Sequence, residues 1–178
     1  LALVTSTPIN VTLVASSMPV WMLAVGALFY GQHPTRRQLV GAALGLAGVA
    51  LVICRGSLSA LLSVRLVAGD VFILVATIGW AFYSWLLARP PAALQQAREP
   101  GAKDPWDWAG FLFVQTLFGL IAAGSFAAGE QMLGAAPIQW SGGVVAALLY
   151  VSLGASIIAY RSWGLGVAQG GPALASFF

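Results

Sequence analysis

The sequence predicts an all-α, polytopic transmembrane helix bundle, and three observations carry that expectation. Of its 178 residues, 60% are hydrophobic and only 7% charged, where soluble globular domains carry about 25% charged residues. The mean hydropathy is +0.89, and so few charges do not cover a soluble surface. Apolar stretches near the ~20 residues that cross a bilayer recur along the chain. They are continuous, unlike the alternating strands of roughly 10 residues that build a membrane barrel.

Five spans follow in order. The first, residues 9–30, holds Asn10, Thr12, Ser16, Ser17 and Pro19. Thr12 and Ser16 lie four apart and so share a helix face. Pro19 has no N–H for the carbonyl of Ala15, which frees an acceptor and bends the helix. The second, residues 37–54, carries Gly41, Gly45 and Gly48. Gly41 and Gly45 form a GxxxG pair, which lets two backbones approach closely, so these glycines read as helix-packing residues. The third, residues 69–88, sets Thr77, Trp80 and Ser84 on one face with Tyr83 beside them, and Trp80 lies too deep for an interfacial belt. The fourth, residues 108–127, contains Gln115, whose amide needs a partner inside the bilayer. The fifth, residues 141–163, places Ser152, Ser156, Tyr160 and Trp163 on one face.

Rings mixed with small hydroxyls suit a cavity for an amphipathic solute. The same hydroxyls also serve as hydrogen-bonding glue between helices. The substrate-cavity candidates are therefore Thr12, Ser16, Trp80, Tyr83, Gln115, Ser156 and Tyr160, with helix packing as the alternative for each. Stubs of two more helices stand before Thr7 and after Gly171, so both ends read as cut within the membrane domain of a longer protein.

The loops orient the bundle. Arg36, Arg37, Arg89, Arg98, Lys103 and Arg161 fall on one side, and Arg55 and Arg65 on the other. The positive-inside rule makes the first side cytoplasmic. Trp106, Trp108 and Trp140 then stand where an aromatic belt lies. Residues 88–107, with Pro90, Pro91, Pro100 and Pro105, form a polar linker. Residues 1–8 and 165–172 each take a helix end through a short polar turn to a proline that starts the next helix. The orientation puts these two turns on opposite sides, the pattern of an inverted repeat.

Several functions are disfavoured. There is no basic stripe for nucleic acid. Paired carboxylates, HExxH and a Ser/His/Asp cluster are all missing, and His33, the single histidine, sits in a loop. No metal or cofactor is expected, and Lys103, the single lysine, lies in the linker rather than in a span. Cys54 is the only cysteine and forms no internal disulfide. No charge stands in the middle of a span, so residues for proton coupling are expected elsewhere or not at all. Lipid bilayer and a small-molecule solute are the expected partners, and the oligomeric state is not legible.

Thr5-Ser6-Thr7, Ser16-Ser17-Met18-Pro19, Tyr30-Gly31-Gln32, Thr35-Arg36-Arg37-Gln38-Leu39-Val40-Gly41 and Gly45-Leu46-Ala47-Gly48-Val49 together resemble the first EamA repeat of the drug/metabolite transporter superfamily. Gly69-Asp70 with Gly79-Trp80-Ala81-Phe82-Tyr83 resembles the first helix of the second repeat, and Ala159-Tyr160, Trp163 and Gly171 resemble that repeat's third helix. The resemblance implies ten helices in two inverted five-helix repeats, a central cavity between them, and residence in the bacterial inner membrane. On that template residues 1–54 end the first repeat, 55–68 connect, and 69–178 belong to the second. It also implies alternating-access export of small organic solutes such as amino acids, metabolites or drugs. The family usually has Glu where this chain has Gln32. The rival expectations are a non-transporting membrane subunit that packs against partners and a membrane-embedded enzyme.

Overall fold

The computed structural model describes residues 6–54, 56–57, 59, 67–92, 108–134 and 139–177. Among the described residues every regular element is helical. In chain order they are α1 (Pro8–Ser16), α2 (Met18–Phe29), α3 (Arg36–Ile53), α4 (Ala68–Ala88), α5 (Trp108–Met132), α6 (Gly142–Leu149), a π-helical segment (Tyr150–Ile157) and α7 (Ile158–Ala175). They make five membrane-length spans, Pro8–Phe29, Arg36–Ile53, Ala68–Ala88, Trp108–Met132 and Gly142–Ala175. The chain is a multi-pass membrane protein. Exposed Leu28, Leu44, Val52, Phe113, Phe118 and Phe126 face outward as lipid-contacting side chains do, because such apolar area is unfavourable in water.

Local chemistry sets the helix ends. Thr7 Oγ1 accepts the Asn10 N–H at 3.2 Å, and Pro8 follows in the first turn of α1, where its missing N–H costs nothing. The first span is broken at Ser17, two residues before Pro19. Pro19 thus falls in the first turn of α2, where it is tolerated, rather than in a helix interior. Gly31, at φ 64°, ends α2, and the Gln32 N–H returns to the Gly26 carbonyl at 2.9 Å, which closes the helix end around the left-handed glycine. Thr35 and Gln38 open α3 with a capping box. The Thr35 hydroxyl accepts the Gln38 N–H, and the Thr35 N–H donates to Gln38 Oε1 at 2.8 Å. Ser141 caps α6 through the Val144 N–H at 3.2 Å.

Two ends differ from the sequence expectation. The fourth span runs on to Met132 instead of stopping at residue 127, since Glu130 in its last turn does not break a helix. The fifth continues past residue 163 to Gly171, where φ 77° and ψ 162° interrupt it before Pro172 starts a further turn. Residues 1–5, Arg55, Arg65, Arg98, Lys103 and residues 93–107 of the linker lie outside the described residues, and with them half of the cations used to orient the chain.

The described residues fall into two compact units, one within Leu1–Pro91 and Gly166–Phe178, the other within Ala92–Leu165. In the first, α1 and α2 pack along α4, and α1 also meets α3. The buried stripe of α4 is Asp70, Thr77, Ala81, Ser84 and Trp85, with the intervals of a helical face. Its small members let α2 come close, and α2 buries Met22, Leu23, Val25 and Gly26 against it. In the second unit α5 buries no residue, and the Arg161 guanidinium stands 4.8 Å from the centre of the Trp108 ring, a cation–π contact.

Candidate functional site

The densest polar chemistry lies where α1 meets α4. Asp70 occupies the first turn of α4 and is 3% exposed. Its Oδ2 accepts the Val67 N–H at 2.8 Å, which satisfies a donor left open at the helix start, and the Asn10 side-chain amide at 2.8 Å. Its Oδ1 accepts the Ser6 hydroxyl. Asn10 is the one buried residue of α1. Both carboxylate oxygens are thus engaged by donors, as a charge in so dry a place requires. A buried acid at this point was not foreseen in the sequence. The available sign was a carboxylate in a helix first turn, where it complements the helix dipole, in a chain with five acidic residues.

At the other end of the same helix pair the chemistry is aromatic. The Trp85 indole N–H donates to the Met22 carbonyl at 2.9 Å. Its ring lies over Gly26, where an added Cβ would stand 2.4 Å from the ring edge. Tyr30 stacks on Trp85 with centroids 5.1 Å apart. Arg89 reaches the Tyr30 carbonyl at 3.1 Å with its guanidinium 5.9 Å from the Trp85 ring centre. Phe29 and Phe82 meet edge to face at 4.9 Å. Neither Trp85 nor Gly26 was a sequence candidate, because one glycine facing one distant tryptophan has no spacing signature.

The sequence candidates are placed as follows. The Thr12 hydroxyl donates to the Pro8 carbonyl at 2.8 Å and the Ser16 hydroxyl to the Thr12 carbonyl at 2.6 Å, so both bond back onto their own helix. Trp80 and Tyr83 are half-buried and lie together, centroids 5.2 Å apart and tilted by 47°. Thr77 and Ser84, expected beside Trp80, belong instead to the buried stripe facing α2, and their hydroxyls donate to the Ile73 and Trp80 carbonyls at 2.8 Å. Gln115 is half-buried, and its Oε1 is enclosed without a hydrogen-bond donor among the described residues. Ser156 and Tyr160 are half-buried. Ser156 lies in the π-helical segment, whose i→i+5 winding changes the register between Ser152 and Tyr160 that a uniform α-helix would give. Gly41 faces the Phe177 ring, 3.4 Å from an added Cβ, whereas a Cβ at Gly45 or Gly48 meets nothing within 4 Å among the described residues. No group of acidic, histidine or cysteine side chains among the described residues is arranged to hold a metal ion.

The EamA-like transporter family matches residues 1–54. A protein of Bacillus subtilis (strain 168), named as the uncharacterized transporter YyaM, is 24% identical over 175 residues, which are 97% of this chain and 52% of that protein. The chain therefore spans about half the length of the curated relative it matches. No solved structure matches it. Both similarities are to transporters.

Proposed function

We propose that this chain is an EamA-type transporter of the drug/metabolite transporter superfamily and forms part of a carrier that exports small organic solutes by alternating access. The observation that carries this reading is the family match over residues 1–54 in a chain of five membrane-length helices. The match ends where the second span ends, which supports a repeat boundary near residue 54. The Trp80–Tyr83 pair supplies a half-buried aromatic surface in the middle of α4. Such a surface gives an amphipathic solute contact area at little entropic expense. Thr12, Ser16, Gln115, Ser156 and Tyr160 remain the candidates for hydrogen bonding to it.

The test is transport per folded molecule in proteoliposomes carrying the full-length protein. Trp80→Ala removes ring contact worth ~1–3 kcal/mol of solute binding, or roughly a 5- to 150-fold rise in the half-saturating concentration. The amount of folded protein should change little. Wild-type affinity with reduced expression would make Trp80 a packing residue and remove this face from the solute path. Absence of saturable flux for every amino acid, metabolite and organic cation tried would favour the non-transporting subunit.

A further inference from the structure

The first span is held in two chemically different ways on either side of its break. Beyond Ser17, α2 buries four residues and is fixed by Trp85, whose ring rests on Gly26 and whose N–H is bonded to the Met22 carbonyl. Before Ser17, α1 buries one residue, Asn10, and that side chain is bonded to Asp70. Apolar packing against Trp85 changes only if the rings separate. Hydrogen bonds to a carboxylate exchange readily with water once the contact opens, because solvated partners replace them at small net cost.

The break between the two halves is itself bridged by side chains. Pro19 has no N–H to give to Ala15. In the absence of that backbone bond the Ser17 hydroxyl donates to the Val14 carbonyl at 2.5 Å and accepts the Trp21 indole N–H at 3.0 Å. Backbone bonds from Ser17 to Val14 and from Val20 and Trp21 to Ser17 also cross the break, but the rung from residue 19 to Ala15 is missing, and a missing rung is where a helix bends most easily.

The geometry points to Asp70 as a releasable clasp and to Ser17–Pro19 as its hinge: α1 swings away from α4 when the Ser6 and Asn10 donors leave the carboxylate, while α2 stays seated on Trp85. The proposal deepens the transport reading by naming which half of one helix gates one end of the path. It also stands apart from that reading, since the motion is measurable whether or not the protein carries a solute.

The experiment uses spin-label pairs in the full-length protein, in a Cys54→Ala background. One pair is Ile9 with Val71 at the clasp end and the other is Leu28 with Leu86 at the Trp85 end, all four being exposed. Asp70→Leu keeps the size of the side chain and removes both acceptors that hold Ser6 and Asn10. A kink change of about 20° at the base of a half-helix roughly 13 Å long moves its tip by ~5 Å. The expected result is a lengthening of that order for Ile9–Val71, with Leu28–Leu86 unchanged. Asp70→Asn, whose amide oxygen still accepts the Asn10 amide and whose amide nitrogen can donate to the Ser6 hydroxyl, should keep the Ile9–Val71 distance of the unmutated protein. An unchanged Ile9–Val71 distance in Asp70→Leu overturns the clasp. Lengthening of both pairs overturns the hinge, since the whole span then leaves together. Lengthening in Asp70→Asn as large as that in Asp70→Leu also overturns the clasp. Flux measured on the same samples tests the transport reading separately.

Discussion

At the scale of single residues, Gly26 and Asp70 show what one position can decide. Gly26 leaves room for the Trp85 ring against α2, and its carbonyl also accepts the Tyr30 and Gln32 N–H groups that end the helix. Gly26→Ala puts a methyl 2.4 Å from the indole ring, a position no small rotation of a buried tryptophan relieves. Overpacking of this kind costs about 1–3 kcal/mol. Thermal unfolding in detergent should show a clear drop in melting temperature. Gly45→Ala in the same 178-residue chain meets open space and should gain about 0.5–1 kcal/mol from helix propensity. Equal melting temperatures for the two variants would contradict this assignment of close contact. The sequence made Gly41 and Gly45 prominent because a repeated spacing is a pattern. Gly26 stayed hidden because its partner lies 59 positions away, and only the folded chain reveals such a pairing. Asp70 was overlooked for a different reason: attention to charges in the middle of spans passes over one in the first turn, where the helix start makes a carboxylate unremarkable.

At the scale of elements, the spans were readable because arginines, prolines and polar turns punctuate continuous apolar runs. The first three observed helical spans begin and end within about two residues of expectation, which is the ordinary ambiguity of helix ends. The interior irregularities were less readable. A bend was expected from Pro19, but the interruption itself falls at Ser17, because proline is accommodated by ending one helix ahead of it and starting another around it. Restoring the missing donor with Pro19→Ala should let the residue 19 N–H reach the Ala15 carbonyl and join α1 to α2. Hydrogen–deuterium exchange across residues 16–20 should slow, since backbone bonds protect amides from exchange. Unchanged exchange would mean that Ser17, not Pro19, sets the break. The π-helical stretch at Tyr150–Ile157 had no such marker: Tyr150-Val151-Ser152-Leu153 reads as ordinary apolar helix, and the wider winding depends on tertiary context rather than local composition.

At the scale of the whole molecule, the orientation of the spans and the share of the transport path they form can be tested directly. With the arginine-rich side in the cytoplasm, a cysteine replacing Ala92 should react only with reagent supplied inside, and one replacing Leu133 only with reagent supplied outside. Both positions are exposed, so protection by packing does not confuse the outcome. The reverse labelling pattern would overturn the orientation and the inverted repeat that depends on it. The 178 residues cover 52% of the relative's length, and a cavity between two repeats needs walls from both. Expressed alone, this stretch should enter the membrane yet give no saturable flux for a solute that the longer protein carries. Flux equal to that of the longer protein would locate the entire path within these five spans.

The bonds that fix the first span all reach far along the chain. Asn10 meets Asp70 across 60 positions, Met22 meets Trp85 across 63, and Tyr30 meets Arg89 across 59. A ribosome adding ~5–20 residues per second needs roughly 3–12 s to cover such an interval, whereas a helix forms in about a microsecond. During synthesis the first span therefore completes its own turns and then waits, its asparagine unanswered and its glycine seat empty, until the third span arrives. For those seconds it depends on whatever shelters a single apolar helix carrying a polar side chain at the site of insertion. Its vulnerability to degradation should peak in that interval, before the partner helix has emerged.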